Sequence, residues 1–371
     1  MGVITLLRLT LLLLLALLAF GGCEKKVEKT DIGFIGTLSG RYSDLGQASL
    51  QGVMLALDRT GSDSNINLIV KDDFGKPAEA ESIIREFSEQ GVNFVIGPSI
   101  SSVAAAVVPL LEKYDIKMIS PTVSTSDLAG KRDNFVRTMP HNSSHQSEAI
   151  SGYLINKLKI KDIVVIYDSR NASYSNDLVK KFSESYIRMG GEVKDVRSFS
   201  PDSGESLKGL LDNDSDNPPS LYYIIGSAMD TSLIIWQIKK NGFDSRVLIR
   251  KWAASNEFYR LGGDAVEGVM LFDYYLDKST SRYKHFEREY KKIFHKEPAW
   301  MSVYGFEAAR ILIDALPELL KGENMLKAVS KATENNVLLS GFEFDEYGDA
   351  QLPLHFFTIS NGETIYKGLA E

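Results

Sequence analysis

The sequence predicts an α/β protein of two domains, built on parallel sheets with helices packed on both faces. Three observations carry that prediction. Short runs that are apolar on both faces recur along the chain, and amphipathic helical segments separate them. The chain is also longer than one hydrophobic core comfortably holds.

Residues 1–22 stand apart from that pattern. Arg8 precedes the run "LTLLLLLALLAF", and two small residues follow before position 23. A charged start, an apolar run and a small-residue exit read as a secretory signal, and the run is short for a spanning helix of ~20 residues. Cys23 is the single cysteine of the chain and sits where a lipoprotein signal places its acylated residue; "AFGGC" resembles a bacterial lipobox. The expectation is an exported protein, lipid-anchored to a membrane of the cell envelope, on the periplasmic side or at the cell surface. With Cys23 acylated no disulfide can form, so stability has to come from cores. Residues 23–30 then form the lipidated cysteine and a charged, solvated tether, "EKKVEKT".

Removing Arg8 from the 42 lysines and arginines leaves 41 against 49 acidic residues, a net charge of −8. An acidic surface argues against nucleic acid as a partner and against polybasic docking on a membrane. The roughly 345 residues that remain exceed what one core comfortably holds, so two domains are expected.

In order along the chain, "DIGFIG", "INLIVKD", "FVIG", "KMIS", "DIVVIYD", "LYYIIG", "RVLIRKW" and "GVMLFDY" have the make-up of buried parallel strands. Leu50, Val53, Met54 and Leu57 follow the i, i+3, i+4, i+7 spacing of a helix with one apolar face. So do Ala80, Ile83, Ile84 and Phe87, and later Ala308, Ile311, Leu312 and Ala315. These stripes are core. The segment "LDNDSDNPPS", 211–220, is a surface loop. In sheets of this kind ligands sit beyond the carboxyl ends of the strands. Here those ends read "TLSGRYSDLG", "VKDDFGKP", "GPSISS", "SPTVSTSD", "YDSRNASY" and "GSAMDTS", and the gathering of hydroxyls, glycines and tyrosines fits a small polar ligand. In "GPSISS" the serines crowd a strand-to-helix junction, which is either a capped helix or a seat for an anion.

Several chemistries are absent. The sequence has no G-x-S-x-G elbow and no P-loop, and "GFIGTLSG" departs from the dinucleotide-binding spacing. His141 and His145 are four apart with Glu148 beyond, but the first lies in a proline-containing connection, so a metal site is not expected. Asp72 and Asp73 precede Lys76-Pro77 and read as a turn leading into a helix. No nucleophile–base pair is visible. The protein is expected not to be an enzyme and to need no cofactor.

The stretches "IGFIGTLSGRYSDLGQASLQGVMLALD", "VKDDFGKPAEA", "GVNFVIGPSISSVAAAVVPLLEKYDIKMISPTVSTSDL" and "NFVRTMP" together resemble the leucine/isoleucine/valine-binding family of ABC-importer solute receptors. The resemblance is strongest over 31–140 and weakens after 200. It implies a type I periplasmic-binding fold: two doubly wound parallel-sheet lobes joined by three crossing strands and closing on a ligand between them. The crossings would fall near 140–142, 272–277 and 350–354. One lobe would comprise 31–140 plus 277–350, the other 141–276 plus 351–371. Implied partners are a small amino acid or related carboxylate and the subunits of an ABC permease. A ligand-sensing or regulatory lipoprotein of the same fold, acting on an envelope protein, is the other reading.

Carried over position by position, the family's carboxylate-binding serine matches Ser101, with Ser102 beside it as a contact or a cap. The Thr122 backbone and Ser124, in "ISPTVS", would meet the ligand's polar head. Tyr42 in "SGRYSDLG" and Tyr174 in "NASYSNDL" match aromatics that face the ligand from either lobe. One position departs from the family. Amino-acid binders place an acidic residue after the strand read here as "RVLIRKW", to pair with the ligand ammonium; the ungapped match is Trp252. A buried ammonium without a partner charge costs several kcal/mol or more. Either another carboxylate replaces it, with Asp230 the first candidate unless it caps its helix, or the ligand has no free amine. Trp252 would then stack on an aromatic ligand or hold a quaternary ammonium. Arg250 and Lys251 offer a second anion contact, although strand alternation points one of them away.

Overall fold

A computed structural model describes residues 29–59, 65–200, 207, 209–333, 338–339 and 341–370. The signal segment, Cys23 and most of the tether lie outside the described residues.

Five short parallel strands form the first sheet. These are β1 (Thr30–Gly36), β2 (Ile66–Asp72), β3 (Phe94–Ile96), β4 (Lys117–Ser120) and β5 (Phe135–Arg137), in the spatial order β2-β1-β3-β4-β5. The helices α1 (Ser43–Asp58), α2 (Pro77–Glu89) and α3 (Ser101–Val107) connect the first four of these strands in turn. Ala80, Ile83, Ile84 and Phe87 are all buried, so α2 packs the face its spacing predicts. The α1 stripe is different: Val53 is buried, Leu50 and Leu57 only partly, and Met54 is exposed. The reason lies in what α1 packs against.

A second sheet follows. Its strands are β6 (Asp162–Asp168), β7 (Glu192–Phe199), β8 (Leu221–Ile225), β9 (Arg246–Arg250) and β10 (Met270–Tyr274). The helices α4 (Ser144–Gly152), α5 (Ala172–Arg188), α6 (Ala228–Lys240) and α7 (Asn256–Gly262) lie among them, and α8 (Ser281–Phe294), α9 (Trp300–Leu319) and α10 (Met325–Thr333) come next. Four short strands close the chain: β11 (Glu343–Phe344), β12 (Ala350–Gln351), β13 (Leu354–Ser360) and β14 (Glu363–Leu369). The second sheet runs β14-β13-β10-β9-β8-β6-β7. Its β7-to-β10 part is parallel, while β13 and β14 add antiparallel to β10. Asn361 and Gly362, both at positive φ, turn β13 into β14 as a two-residue hairpin. The sheet is therefore mixed at one edge, where the sequence predicts parallel strands alone.

The helices α8 to α10 return to the first sheet. Tyr283, Phe286 and Tyr290 share a core with Ile32, Phe34 and Val53, and with Ala308, Ile311, Leu312 and Ala315. Here α9 lies on α1 backbone to backbone: a Cβ on Gly52 would stand 2.0 Å from the Ser302 carbonyl oxygen, and one on Gly305 would stand 2.2 Å from that of Ser49. The buried face of α1 thus runs through Leu45, Ala48, Ser49, Gly52 and Val53, with the small Ser49 and Gly52 letting α9 approach, and Met54 is left outside. A separate core fills one face of the second sheet, from Val164 and Ile166 to Ile235 and Phe258. The remaining faces of both sheets belong to one continuous cluster, which includes Ile35 and Val95 beside Leu248, Trp252 and Phe272. The chain passes from elements around the first sheet to elements around the second, or back, at 138–143, 275–280 and 352–353.

Candidate functional site

Between the sheets lies a cleft that encloses about 570 Å³ of space, the open solvent at its mouth included. Its first wall is built by two strand ends. After β3 the chain turns through Ser99 and Ile100 into α3, and after β4 it turns through Pro121–Ser124. Hydroxyls tie these turns together. Thr122 Oγ1 donates to the Ser99 carbonyl at 2.8 Å, Ser120 Oγ to that of Pro98 at 2.9 Å, and the Ser124 amide to Ser101 Oγ at 3.3 Å. Ser99, Ser101, Thr122 and Ser124 all line the cavity.

The opposite wall comes from the second sheet. Along β9, Val247 and Ile249 enter the core on one face, and Leu248 faces the cluster between the sheets. Period-two alternation therefore carries Arg250 to the cavity side. The strand ends there, and residues 251–253 turn, so Lys251 and Trp252 reach the cavity as well. The expectation that one of Arg250 and Lys251 points away fails because alternation stops with the strand. Tyr174 at the start of α5, Phe272, Asp273 and Tyr274 at the end of β10, and Trp300 at the start of α9 complete the ring.

Lys251 pairs with Asp273 at 2.5 Å and lies over the rings of Tyr274, Trp300 and Tyr304. Burial lowers the Lys251 pKa and the Asp273 charge opposes that shift. Burial raises the Tyr174 and Tyr274 phenols. Arg250 is 6% exposed, with Tyr223, Tyr174 and Tyr274 around its guanidinium. Its Nε and Nη1 make no hydrogen bond. Trp252 is held between Tyr42, ring centres 5.4 Å apart, and Tyr174, edge-on at 5.5 Å.

Tyr42, Ser102 and Asp230 lie elsewhere, in a polar seam that joins the two sheets' elements along one lip of the cleft. Tyr42 donates to Asp168 Oδ2 at 2.7 Å, and burial with the Asp168 charge raises its phenol pKa. Ser102 donates from its amide and hydroxyl to Asn171 Oδ1, at 3.1 and 3.2 Å, and accepts from the Ser173 amide. Asp230 takes Arg41 on one oxygen and Arg170 on the other, each at 2.8 Å. Two arginines thus occupy the carboxylate that was the candidate partner for a ligand ammonium, and it offers no charge to the cavity. Nor is Asp230 the cap of α6. Ser227 is, accepting from the Asp230 amide. Farther along the lip the Ser126 amide and hydroxyl donate to Asp177 at 3.0 and 2.7 Å.

The other candidates have local roles. Asp72 accepts from the Leu38 amide and the Ser39 hydroxyl, and Asp73 from the Thr37 hydroxyl, so this pair ties its turn to the one after β1. His141 Nδ1 lies 3.2 Å from the Asn142 carbonyl oxygen. Among the described residues no group of three or more His, Cys, Asp or Glu is placed to hold a metal ion. Asn142, Asn171, Asp273, Tyr274 and Trp300 line the cavity or its seam without having been singled out in the sequence. For Asp273 and Tyr274 the signal was available, since "GVMLFDY" ends as the other strands do. Trp300 carries none, because only the return of α9 to the first sheet brings it there.

Two sheets with a lined cleft between them, at the carboxyl ends of parallel strands, define a solute-binding architecture. A family model described as a periplasmic binding protein matches residues 29–363, and the chain belongs to that family. Among curated relatives, a Leu/Ile/Val-binding protein homolog of Brucella abortus is 25% identical over 92% of each chain. Another from Brucella melitensis is 24% identical over 65% of this chain and 66% of its own length. Among solved structures, a leucine-binding protein of Thermotoga maritima superposes with a TM-score of 0.82 at 24% identity, covering 92% of this chain and 98% of its own. An ABC-transporter solute-binding protein of R. palustris, solved in complex with benzoate, superposes at 0.83 with 19% identity, covering 92% and 96%. The resemblance to the Leu/Ile/Val-binding proteins and the two-sheet α/β fold both stand.

Proposed function

We propose that this protein is a membrane-anchored, extracytoplasmic solute receptor that delivers a small amino acid or related carboxylate to an ABC permease. The observation that carries this reading is the cavity itself: the serines of one sheet's strand ends and the Arg250–Trp252 turn of the other line the same small space. In this reading residues 31–140 plus 277–350 form one lobe, and 141–276 plus 351–371 the other. Ser101, Thr122 and Ser124 hold the polar head, and Tyr174 and Trp252 lie against the body. Tyr42 and Ser102 act through the seam, and no catalytic group is involved. The curated relatives are named for leucine, isoleucine and valine and one structural neighbour holds benzoate, so both ligand types belong in the test.

A thermal-shift screen of the purified protein against amino acids and amine-free carboxylates tests the receptor reading. A ligand at ~100 times its Kd adds about 2.7 kcal/mol of native-state stability and raises Tm measurably. No shift with any member overturns it in favour of a regulatory protein of the same fold. Anchoring through Cys23 is tested separately. Cys23→Ser should move the protein from the membrane fraction to the soluble one, and retention in the membrane refutes the anchor.

A further inference from the structure

The cavity has a charge and a hydrogen-bonding polarity that bear on its ligand. Its charged lining residues are Arg250, Lys251 and Asp273. Lys251 and Asp273 are paired, which leaves the guanidinium of Arg250 without a carboxylate partner among the described residues. A buried cation in that position is stabilised when an anion reaches it. The unpaired polar atoms on the lining residues point the same way. They are Nε and Nη1 of Arg250, Nε1 of Trp252, Nε1 of Trp300, Nδ2 of Asn142 and Oγ of Ser99. Five of these six are donors only, and the hydroxyl can donate as well.

An ammonium group brings donors to a wall of donors and a positive charge to an uncompensated guanidinium. A carboxylate brings acceptors and the missing charge, in the planar geometry that matches a guanidinium fork. The rest of the ring is aromatic, with Tyr174, Trp252, Phe272, Tyr274 and Trp300 around the space. Flat rings pack against such walls. Resting on the assignment of this cavity as the ligand site, we propose that the ligand is an aromatic carboxylate without an amino group, its carboxylate taken by Arg250.

Matched probes test this on the wild-type protein by titration calorimetry. 3-Phenylpropanoate and phenylalanine differ only in the α-ammonium, and 3-phenylpropanamide removes the negative charge while keeping the shape. 4-Methylpentanoate and leucine form the aliphatic pair, and benzoate is the short aromatic acid. The expected result is that benzoate or 3-phenylpropanoate binds, with phenylalanine, leucine and the amide weaker by on the order of 100-fold. Arg250→Gln should weaken the aromatic acid by a similar factor, and Arg250→Lys should restore part of the loss. If Arg250→Gln fails to fold, the comparison of acid, amide and amino acid on the wild type still decides. Tighter binding of phenylalanine or leucine than of its amine-free partner overturns the proposal and leaves the receptor reading intact. So does an Arg250→Gln protein that folds and binds the acid as the wild type does. Binding of 4-methylpentanoate in preference to every aromatic acid overturns the aromatic part. Silence with every probe overturns the receptor reading itself.

Discussion

Arg137 is fully buried at the end of β5, and its charge is satisfied there by Asp349 at 2.6 Å and by the Thr125 carbonyl, which accepts from Nη1 at 2.6 Å. Asp349 also accepts from the Gly130 amide, so one carboxylate ties β5, the loop before it and the β11–β12 region together. Removing one member of a buried pair leaves an uncompensated charge. Asp349→Ala should therefore lower stability by about 3–5 kcal/mol in chemical denaturation. A loss under 1 kcal/mol would mean that water reaches Arg137. Asp44, in the first turn of α1, behaves in the opposite sense. Burial lifts its carboxyl to about 6, with the Glu257 charge from the other side of the cleft adding to the shift. A carboxyl raised above its unfolded pKa favours folding when protonated, so its contribution is present at acid pH and fades as pH rises from about 4 to 6. Asp44→Asn should stabilise the protein above pH 6 and make no difference below pH 4. Parallel Tm–pH curves for the two proteins would place Asp44 in solvent.

At the scale of elements, the seam decides how the two walls of the cavity meet. Arg41 sits just before α1, whereas Asp230, Asp168 and Arg170 stand where α6 begins and β6 ends. Arg41 is about a third exposed, so its bond to Asp230 is screened and contributes at most about 1 kcal/mol. Arg41→Ala should raise the ligand Kd by up to about fivefold, through faster dissociation, with only a small fall in the ligand-free Tm. An unchanged dissociation rate would make the seam a bystander. How much of this could be read in the sequence follows from the range of each interaction. The short apolar runs located β1 to β4, β6 and β8 to β10, all of which except β2 are largely buried, and the i, i+3, i+4 spacing placed α2 and α9. Asp230 misled because its partners are arginines from 60 and 189 residues away, a pairing that no local pattern encodes. The placing of the Arg250 guanidinium on the cavity depends on where β9 ends, to the residue, and sequence patterns fix strand ends least well.

For the whole molecule, the central question is what holds the two halves together. One face of each sheet, with the helices α2 and α3 on the first and α4 and α5 on the second, belongs to one apolar cluster, and the cavity lies between the sheets at their strand ends. Three chain crossings, at 138–143, 275–280 and 352–353, allow the halves to hinge while the core on the far face of each sheet stays intact. The seam bonds join the two halves at several points, from the buried Tyr42–Asp168 bond to the partly exposed Arg41–Asp230 pair, so they favour the closed arrangement. In the hinged receptor proposed above, closing buries the charge of Arg250, a cost that opposes closure. In that receptor a ligand that reaches the serines of one wall and Arg250 of the other at once favours closure through that differential contact. Small-angle scattering should therefore give a smaller radius of gyration with a bound ligand than without one. In Arg250→Gln the ligand-free protein should lie closer to the compact value, since closure no longer buries an uncompensated cation. Identical scattering from the ligand-free wild type and the variant would mean that Arg250 acts on the ligand alone, with no hold on the hinge.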